Sequence, residues 1–395
     1  MRKGWEYKKL GEVTSFFRGL TYSGKDEVDK SNNIVLRSNN IDLSTNSLNF
    51  GELKFISDSI TIPQDKKLRK NSIFMCMSNG SKQHLGKVAF IEKEYPYAFG
   101  GFMGLIVPNE DKLVPKFTYY YFCSQKFKAY LSAIGNGANI NNIKYIDIAK
   151  DSIPLPPKST QIEIVSELDK INELIRLKKE QLKDFDNLAQ SLFYEMFGDP
   201  VENEKGWEVK KLGDISSIGT GSTPNRKNKD FYKNGTYPWV KSTEVCNLPI
   251  YSVEEYITEE ALKNSNCTLY PPNTILMAMY GQGKTRGQIG LLKIEACTNQ
   301  AVAAIMPTKE VVDEIFLSQH LMLMYEHIRN MARGGNQANL NLSIVKSIQI
   351  FLPPLPLQRL FAQRIEQIER EKSEVQKSIQ DLETLLASRM QYWFE

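Results

Sequence analysis

Apolar residues recur at alternating steps of three and four in two long stretches of the chain. The first stretch covers residues 159–197, and its apolar side is formed by Leu168, Ile171, Ile175, Lys178, Leu182, Phe185, Ala189, Leu192 and Met196. The second runs from Gln358 to the C-terminus, with Ile365, Ile368, Lys372, Val375, Ile379, Leu382, Leu386, Arg389 and Trp393 at the same spacing. Such steps are typical of the heptad repeat of a coiled coil. The pattern therefore predicts two long helices that pair along one side.

Each predicted helix follows a pair of prolines, at 156–157 and at 353–354. Proline is tolerated ahead of a helix but not inside it, so each pair marks where a helix can begin. Each helix is then about 38 residues, or about 57 Å at roughly 1.5 Å per residue. A heptad pattern usually has a structural role, and we interpret these helices as a spacer of fixed length.

A lysine lies near the middle of each apolar side, at Lys178 and at Lys372. A polar residue at such a position costs stability but can fix the register of two helices. We hypothesise that the two lysines help to select one pairing.

The remainder of the chain is a duplicated plan. Residues 4–13 (GWEYKKLGEV) match residues 206–215 (GWEVKKLGDI), and residues 138–141 (ANIN) match residues 338–341 (ANLN). The middle parts differ, because 37–40 (RSNN) stands opposite 240–244 (VKSTE). The frame is repeated while its contents vary, as in an internal repeat with two specialised copies.

Each globular part mixes strand and helix signals. Short runs rich in β-branched and apolar residues, at 72–77, 86–91 and 274–279, predict strands, and residues 117–134 and 314–331 predict helices. We therefore expect an α+β fold with a twisted, mostly antiparallel sheet. The predicted domains are a globular domain at 1–153, a long helix at 154–199, a second globular domain at 200–351 and a second long helix at 352–395.

Chain order also predicts the direction of the helices. The first begins in one globular part and ends at the other, so a second helix that packs on it must run back. The pair should be antiparallel, and two similar units with an approximate twofold relation suit duplex DNA, which has its own dyad.

Composition favours a soluble globular protein of two or three domains. The chain has 395 residues, 41% hydrophobic and 24% charged, without an apolar run long enough for a membrane span or a signal peptide at its start. Its five cysteines show no Cys-x-x-Cys pair, so we expect free thiols in the cytoplasm. The two helical stretches hold 11 basic and 15 acidic residues, which gives them a net charge of −4. Because the whole chain has a net charge of +4, the remaining residues carry +8. That distribution favours a polyanionic partner for the globular parts.

The chain shows no catalytic motif. Residues 281–285 (GQGKT) resemble the end of a phosphate-binding loop, but Ala278 stands where that loop needs glycine. The three histidines lack metal-ligand spacing, so we expect no metal site. Neither a nucleophile elbow nor a motif for gripping a flipped base is present, which indicates a binding or scaffolding role.

Loops in both copies are rich in side chains that can read base edges. Arg and Lys reach guanine, whereas Asn and Gln pair with adenine. The candidates of the first copy are Arg18, Arg37, Asn39, Asn40, Lys82, Gln83, His84 and Lys87. Those of the second copy are Arg226, Lys229, Lys241, Thr243, Tyr280, Gln282, Lys284, Arg286 and Gln288. The loops 78–82 and 280–284 fall at matching places, and their glycines would let the backbone approach DNA closely.

The whole chain resembles the specificity (S) subunit of Type I restriction–modification enzymes. The resemblance rests on the junction 196–201 (MFGDPV), on Leu-Pro-Pro followed by Gln161 or Gln358, and on the loop 283–287 (GKTRG). The first copy has 80–86 (GSKQHLG) in place of that loop, as expected if the two copies read different sequences.

The resemblance implies that each globular part is a target recognition domain that reads one half of a bipartite DNA site. It also implies that the helices set the spacer and join two methyltransferase subunits, which use S-adenosylmethionine, and that restriction subunits using ATP and Mg²⁺ can join that core. The chain itself would hold no cofactor and would not be an enzyme. Two alternatives stay open from the residues alone: a self-contained endonuclease or methyltransferase, and a scaffold with two lectin-like or peptide-binding domains.

Overall fold

The computed structural model describes residues 4–81, 84–135, 142–247, 249–281, 283–331 and 339–395. The chain forms two compact units, Met1–Lys179 with Lys377–Glu395, and Glu180–Gln376. Each unit combines one globular domain with one half of each long helix. The boundary between units therefore passes through the long helices. The sequence pattern instead predicts globular domains and long helices as separate, consecutive segments.

The described residues of the first unit form twelve strands and parts of two long helices. Its strands are β1 (Glu6–Lys9), β2 (Thr14–Arg18), β3 (Glu27–Val28), β4 (Asn33–Leu36), β5 (Ile41–Asp42), β6 (Ser47–Leu48), β7 (Lys54–Ile56), β8 (Ser72–Cys76), β9 (Val88–Ile91), β10 (Ala98–Phe99), β11 (Met103–Pro108) and β12 (Ser152–Leu155). Its helices are α1 (Leu10–Val13), α2 (Pro115–Cys123), α3 (Gln125–Gly135), α4 (Tyr145–Lys150) and the first half of α5 (Lys158–Phe197).

The second unit has a similar order of elements, with ten strands among its described residues and an additional helix, α7, before β18. Its strands are β13 (Glu208–Lys211), β14 (Ser216–Thr220), β15 (Tyr237–Val240), β16 (Pro249–Ile250), β17 (Tyr256–Ile257), β18 (Ile275–Ala278), β19 (Ile289–Leu292), β20 (Cys297–Thr298), β21 (Val302–Pro307) and β22 (Gln349–Leu352). Its helices are α6 (Leu212–Ile215), α7 (Glu259–Lys263), α8 (Glu314–Leu323), α9 (Tyr325–Met331), α10 (Leu342–Ser347), the second half of α5 and the first half of α11 (Leu355–Phe394).

The main sheets of the two units share one topology. The first unit has the order β2-β11-β8-β9, and the second has β14-β21-β18-β19-β16. A smaller sheet lies beside each, β10-β4-β7-β3 and β17-β15-β20. Among the strands of the described residues, β10–β4, β15–β20 and β16–β19 pair in parallel and the other strand pairs are antiparallel. The prediction of an α+β fold with a mostly antiparallel sheet is confirmed.

Two of the predicted helices are each broken near their middle. Residues 117–134 contain Ser124, whose extended backbone (ψ 155°) ends α2 and whose Oγ accepts a hydrogen bond from the Phe127 N–H at 3.3 Å. Residues 314–331 are interrupted at Met324, which closes α8 with ψ near 7°. The apolar spacing continues across both breaks, so the sequence pattern alone did not reveal them.

The long helices are each 40 residues. Helix α5 begins one residue before the predicted start, and α11 begins at Leu355, three residues before it. Pro356 lies in the first turn of α11, where the missing N–H costs no intrahelical hydrogen bond. None of the helices among the described residues is both long and apolar enough to cross a bilayer.

A fully buried glutamine fastens the start of each long helix to its domain. The side-chain carbonyl of Gln161 accepts from the Val114 N–H at 2.8 Å, and its amide group donates to the carbonyls of Lys112 and Pro156. Gln358 likewise accepts from the Asp313 N–H at 2.9 Å and donates to the Pro353 carbonyl at 2.7 Å. These bonds satisfy backbone groups that burial would otherwise leave unpaired.

Within the first unit, the two helix halves run antiparallel. Glu167 of α5 is hydrogen-bonded to Arg389 and Trp393 of α11, and Lys179 pairs with Glu383 at 2.9 Å. As α5 advances, its partners move back along α11. The end of α11 also enters the domain core, where the rings of Phe394 and Phe117 lie 5.2 Å apart.

The helix halves of the second unit are also antiparallel. Asp186 pairs with Lys372 at 2.8 Å, and further along α5 the ring of Phe193 lies 5.6 Å from that of Phe361. Phe193 also stacks on Phe316 of the domain core at 5.7 Å. Each pair of helix halves is therefore part of a domain core as well as a helical pair.

The predicted apolar side faces inward in both units. Buried positions are Leu168, Ile171, Ile175, Ile365, Ile368, Val375 and Ile379. Half-buried positions are Lys178, Leu182, Phe185, Lys372 and Leu382.

The tryptophan of the Gly-Trp sequence that opens each copy contacts the C-terminal end of a long helix. Trp5 stacks on Trp393 at 6.2 Å with an interplanar angle of 3°, and the indole N–H of Trp207 donates to the Phe197 carbonyl at 2.9 Å. The matching segments 138–141 and residue 338 lie outside the described residues.

Candidate nucleic-acid interface

A cleft of about 860 Å³ opens on the first unit, where several strands end. Three predicted base-reading residues, Arg18, Arg37 and Asn39, line it together. They are separated in sequence but converge because β2, β4 and β8 end at the same place. The other lining residues are Leu20, Thr21, Tyr22, Ser38, Ser78, Asn79, Gly80, Gly100, Gly101, Phe102 and Met103.

A close backbone approach shapes this cleft. A Cβ atom added to Gly19 would lie 2.0 Å from the Gly100 carbonyl oxygen, and one added to Gly221 in the second unit would lie 1.8 Å from the Thr298 carbonyl oxygen. No side chain fits at those distances, so glycine is required after Arg18 and after Thr220. In both units the backbone at this glycine therefore lies in close contact with the backbone of another segment, at Gly100 in the first unit and at Thr298 in the second.

A single turn after β4 presents Arg37 and Asn39. The side-chain carbonyl of Asn40 accepts from the Arg37 N–H at 2.8 Å, and its amide group donates to the carbonyls of Asn49 and Glu52. Asn40 is fully buried, so the prediction that it reads bases is wrong and its role is to hold the turn. Asn39 is exposed and donates to Glu52 at 3.0 Å, while the Arg37 Nε is buried without an acceptor among the described residues.

The β8–β9 loop supplies the remaining candidates of the first unit. Lys87 is buried, and its Nζ donates to the Ile41 carbonyl at 2.9 Å, so the prediction that it reads bases is also wrong. Burial lowers the pKa of Lys87. His84 is half-buried, and its Nδ1 finds no partner in the described part of the chain. Lys82 and Gln83 lie outside the described residues.

The second unit repeats the turn with different side chains. Glu244 accepts from the Lys241 N–H at 2.8 Å, as Asn40 does from Arg37, and Thr243 stands exposed in the turn as Asn39 does. The side chain of Lys241 pairs with Glu254 at 2.7 Å and with Glu255 at 3.1 Å. Hydrogen bonds from Glu254 and then Glu255 raise the pKa of Lys241.

Glu255 also brings Arg226 to this place. The guanidinium of Arg226 lies 2.6 Å from Glu255 and covers the rings of Tyr232 and Trp239. The hydrogen bond from Arg226 is the main reason that the pKa of Glu255 is lowered. Glu255 thus holds Arg226 and Lys241 in one cluster, and a polyanion would compete with it for both cations. Lys229 is exposed nearby in sequence, in the turn before Tyr232.

The β18–β19 loop holds the other candidates of the second unit. Tyr280 and Lys284 are exposed, and Arg286 and Gln288 are half-buried. The hydroxyl of Tyr325 donates to the Lys284 carbonyl at 2.5 Å, so α9 braces the loop. The Nε of Arg286, like that of Arg37, is buried without an acceptor in the parts of the chain described here. Gln282 lies outside the described residues.

Two further residues of the cleft stand out: Asn79, which the sequence indicated only as part of the loop 78–82, and Phe102, which it did not indicate. Asn79 donates to the Ser38 hydroxyl at 3.0 Å, which ties the β8–β9 loop to the Arg37 turn. Phe102 projects from the turn before β11 with 74% of its surface exposed. The sequence signal available was the Gly-Gly-Phe run at 100–102, which places an aromatic residue in a tight turn.

No group of three or more His, Cys, Asp and Glu side chains is arranged to hold a metal ion within the described ranges. What both units share are turns at strand ends that carry basic and aromatic side chains, Arg37 and Phe102 in the first and Lys241 and Tyr280 in the second. That arrangement defines a pair of recognition domains rather than a catalytic pocket.

The comparisons with known proteins name the family. The family model for the Type I restriction modification DNA specificity domain matches residues 2–184 and again residues 204–384. The chain therefore belongs to this family, which is non-catalytic, and contains two copies of its domain. It is a Type I restriction–modification specificity subunit by family.

Relatives and a solved structure agree with this assignment. The chain is 25% identical to a specificity subunit, MjaIX, of Methanocaldococcus jannaschii over 65% of its length, and the match spans 62% of that relative. It is 24% identical to the putative MjaX specificity subunit of the same organism, over 97% of this chain and 92% of the relative. The S subunit of M. genitalium shares the fold, with a TM-score of 0.59, 15% identity, and coverage of 100% of this chain and 98% of that one.

Proposed function

We propose that each globular domain of this chain reads one half of a bipartite site in double-stranded DNA. The observation that carries the proposal is the matched turn after β4 and β15. In both units a side chain three residues further on, Asn40 or Glu244, accepts a hydrogen bond from the first N–H of the turn. Within that shared turn, Arg37 and Asn39 are replaced by Lys241 and Thr243. Matched frames with different base-reading side chains suit two different half-sites.

Charge supports DNA as the ligand. The positive charge of the chain lies outside the two helical stretches, and Arg or Lys side chains stand at the strand ends of both units. Lys and Arg contacts to phosphate supply most of the sequence-independent affinity for DNA. Phosphate contacts would orient each domain, and the Arg, Lys and Asn side chains of the turns would then reach base edges.

We further propose that the paired helices set the distance between half-sites and dock methyltransferase subunits. Both helices expose large apolar residues to the outside: Ile162, Leu174, Leu177, Leu188, Leu360 and Leu385. Exposed apolar residues on a helical face are typical of a protein–protein contact surface. In this proposal the partner subunits bind S-adenosylmethionine, restriction subunits bind ATP and Mg²⁺, and the assembly works in the cytoplasm, where its DNA is.

The test is co-expression of the chain with its methyltransferase subunits, followed by mapping of methylated adenines across a host genome. We expect methylation at one bipartite sequence, which is lost without this chain. A matched control replaces residues 200–351 with the corresponding domain of a relative, and only one half of the methylated sequence should change. A methylation pattern that ignores this exchange would contradict the proposal. Failure of the assembled complex to bind duplex DNA at low salt would favour a scaffold for another ligand.

A further inference from the structure

Phe102 is the most exposed large apolar residue among those described, and nothing assigned so far uses it. It lies at the cleft with Arg37 and Asn79. An exposed phenylalanine leaves apolar surface in water, and a contact with a ligand at the cleft would remove that surface from water.

The turn that carries Phe102 is held firmly. The Phe102 carbonyl accepts hydrogen bonds from the Met77 N–H at 2.9 Å and the Ser78 N–H at 3.1 Å. The Met103 N–H closes the turn by donating to the Gly100 carbonyl at 2.8 Å, and the Gly100 N–H donates to the Leu36 carbonyl at 2.9 Å. The ring is therefore presented by a fixed backbone, which limits the entropy lost when it makes a contact.

The second unit presents an aromatic residue at the same junction. The Met279 N–H donates to the Ala301 carbonyl at 2.8 Å, just as the Met77 N–H donates to Phe102, so Ala301 occupies the place of Phe102. The residue after Met279 is Tyr280, which is 40% exposed, and it stands where the first unit has Ser78. Each domain thus has one exposed ring at this junction. In the first unit the ring comes from the turn before β11, and in the second unit it comes from the residue that follows Met279.

We propose that Phe102 and Tyr280 are specificity-determining stacking residues, and that each ring packs on the face of one partly unstacked base in its half-site. The inference rests on the proposed function and deepens it. Polar groups of the cleft, from Arg37 and Asn79, face the edge of the base that Phe102 covers. Aromatic rings stack on any base, but insertion at a base step favours steps that unstack easily. Each half-site therefore contains one position that is selected both by how easily its base step unstacks and by the hydrogen-bonding edge of its base.

The experiment uses the chain assembled with its methyltransferase subunits and duplexes carrying the mapped site. The fluorescent adenine analogue 2-aminopurine replaces each base of both half-sites in turn, because its emission rises when it unstacks. For the wild type we expect one bright position in each half-site other than the target adenine, which a methyltransferase itself flips out of the duplex. Phe102→Ala should weaken binding to the cognate duplex about tenfold, as expected for loss of one stacked base. It should also remove the bright position of the first half-site only.

Matched variants separate stacking from bulk. Phe102→Tyr should retain the signal, whereas Phe102→Leu, which keeps an apolar side chain without a ring, should lose it. Tyr280→Ala should remove the bright position of the second half-site only. Phe50→Ala and Tyr251→Ala alter exposed rings that do not line the cleft, and both should bind as the wild type does.

Equal cognate affinity and fluorescence for Phe102→Ala and the wild type would overturn the inference while leaving bipartite reading intact. Weakening of Phe102→Ala on all duplexes alike, including unrelated sequence, would also overturn it. If the wild-type complex shows no half-site preference, the proposed function itself fails. Thermal unfolding of each variant verifies the fold, and the exposure of Phe102 predicts little change.

Discussion

The Nζ of Lys372 in α11 lies 2.8 Å from Oδ1 of Asp186 in α5 and 2.9 Å from Oε1 of Glu369. Burial lowers the pKa of Lys372, but the hydrogen bonds to Asp186 and Glu369 outweigh it, and the net shift is upward. The lysine on the apolar side of the second helix therefore makes an ion pair across the two helices of its unit.

We expect this ion pair to contribute little to stability. The side chain of Asp186 is 65% exposed, and exposed pairs typically couple by about 0.2–1 kcal/mol. A double-mutant cycle with Lys372→Met and Asp186→Asn, followed by urea unfolding, measures the coupling. A coupling energy above about 3 kcal/mol would instead indicate a fully desolvated pair.

A separate prediction concerns register. If Lys178 and Lys372 select one helix pairing, the double variant with leucine at both positions should gain stability but populate other association states. Light scattering of the purified chain with and without its partner subunits measures this. The same mass distribution for both proteins would refute a role in register.

The glutamine at the start of α5 is predicted to matter more than its polarity suggests. Gln161→Leu removes three hydrogen bonds and leaves the Val114 N–H and the Lys112 and Pro156 carbonyls without these partners. Each unsatisfied buried group costs about 1–3 kcal/mol, so we expect a loss of at least about 2 kcal/mol. Urea unfolding measures it, and Gln363→Leu, at an exposed position of α11, is the control.

Acid should destabilise the second unit through His320. This histidine is fully buried against Phe193 and Phe351, with its Nε2 3.1 Å from the Pro200 carbonyl, and burial lowers its pKa from 6.5 to about 4. As pH falls from 6.5 towards 4, the unfolded imidazole takes up a proton that the folded one does not. Stability from the neutral ring is therefore present above pH 6.5 and lost across that window.

The measurement is the urea midpoint between pH 7 and pH 4.5. His320→Phe should flatten its pH dependence, whereas His327→Phe, at an exposed position of α9, should not. An unchanged slope in His320→Phe would show that another group governs the acid transition.

Arg286 and Arg37 offer matched tests of half-site reading. Arg286→Ala should relax only the half-site read by the second domain, and Arg37→Ala only the other. Loss of one bidentate contact to a base costs about 1–3 kcal/mol of discrimination. Methylome mapping of the assembled complexes measures this, and uniform weakening on all DNA would identify a phosphate contact instead.

The helix pair can be shortened to test the spacer. Removing 175–181 from α5 and 379–385 from α11 deletes one heptad from each facing segment, since Lys179 pairs with Glu383. Seven residues span about 10 Å at roughly 1.5 Å each, so the spacer should shorten by about three base pairs at roughly 3.4 Å each. Both half-sites should stay the same, and a changed half-site in the methylome would argue against an independent spacer.

Much of this architecture was readable from periodicity. The steps of three and four gave both long helices to within a few residues, because an apolar side repeats with the turn of the helix. The duplicated Gly-Trp and Pro-Pro segments gave the repeat and the family. Breaks at Ser124 and Met324 were missed, since a local cap interrupts the backbone without interrupting the apolar spacing.

The sequence alone determined that two related recognition domains are joined to two long helices, since hydrophobic period and repetition are local properties of the chain. The tertiary structure decided which loop residues are available. The side chains of Asn40 and Lys87 are buried and donate hydrogen bonds to backbone carbonyls, whereas Phe102 lines the cleft. Whether a polar side chain faces water or a buried carbonyl depends on strands far away in sequence, and only the folded chain brings those together.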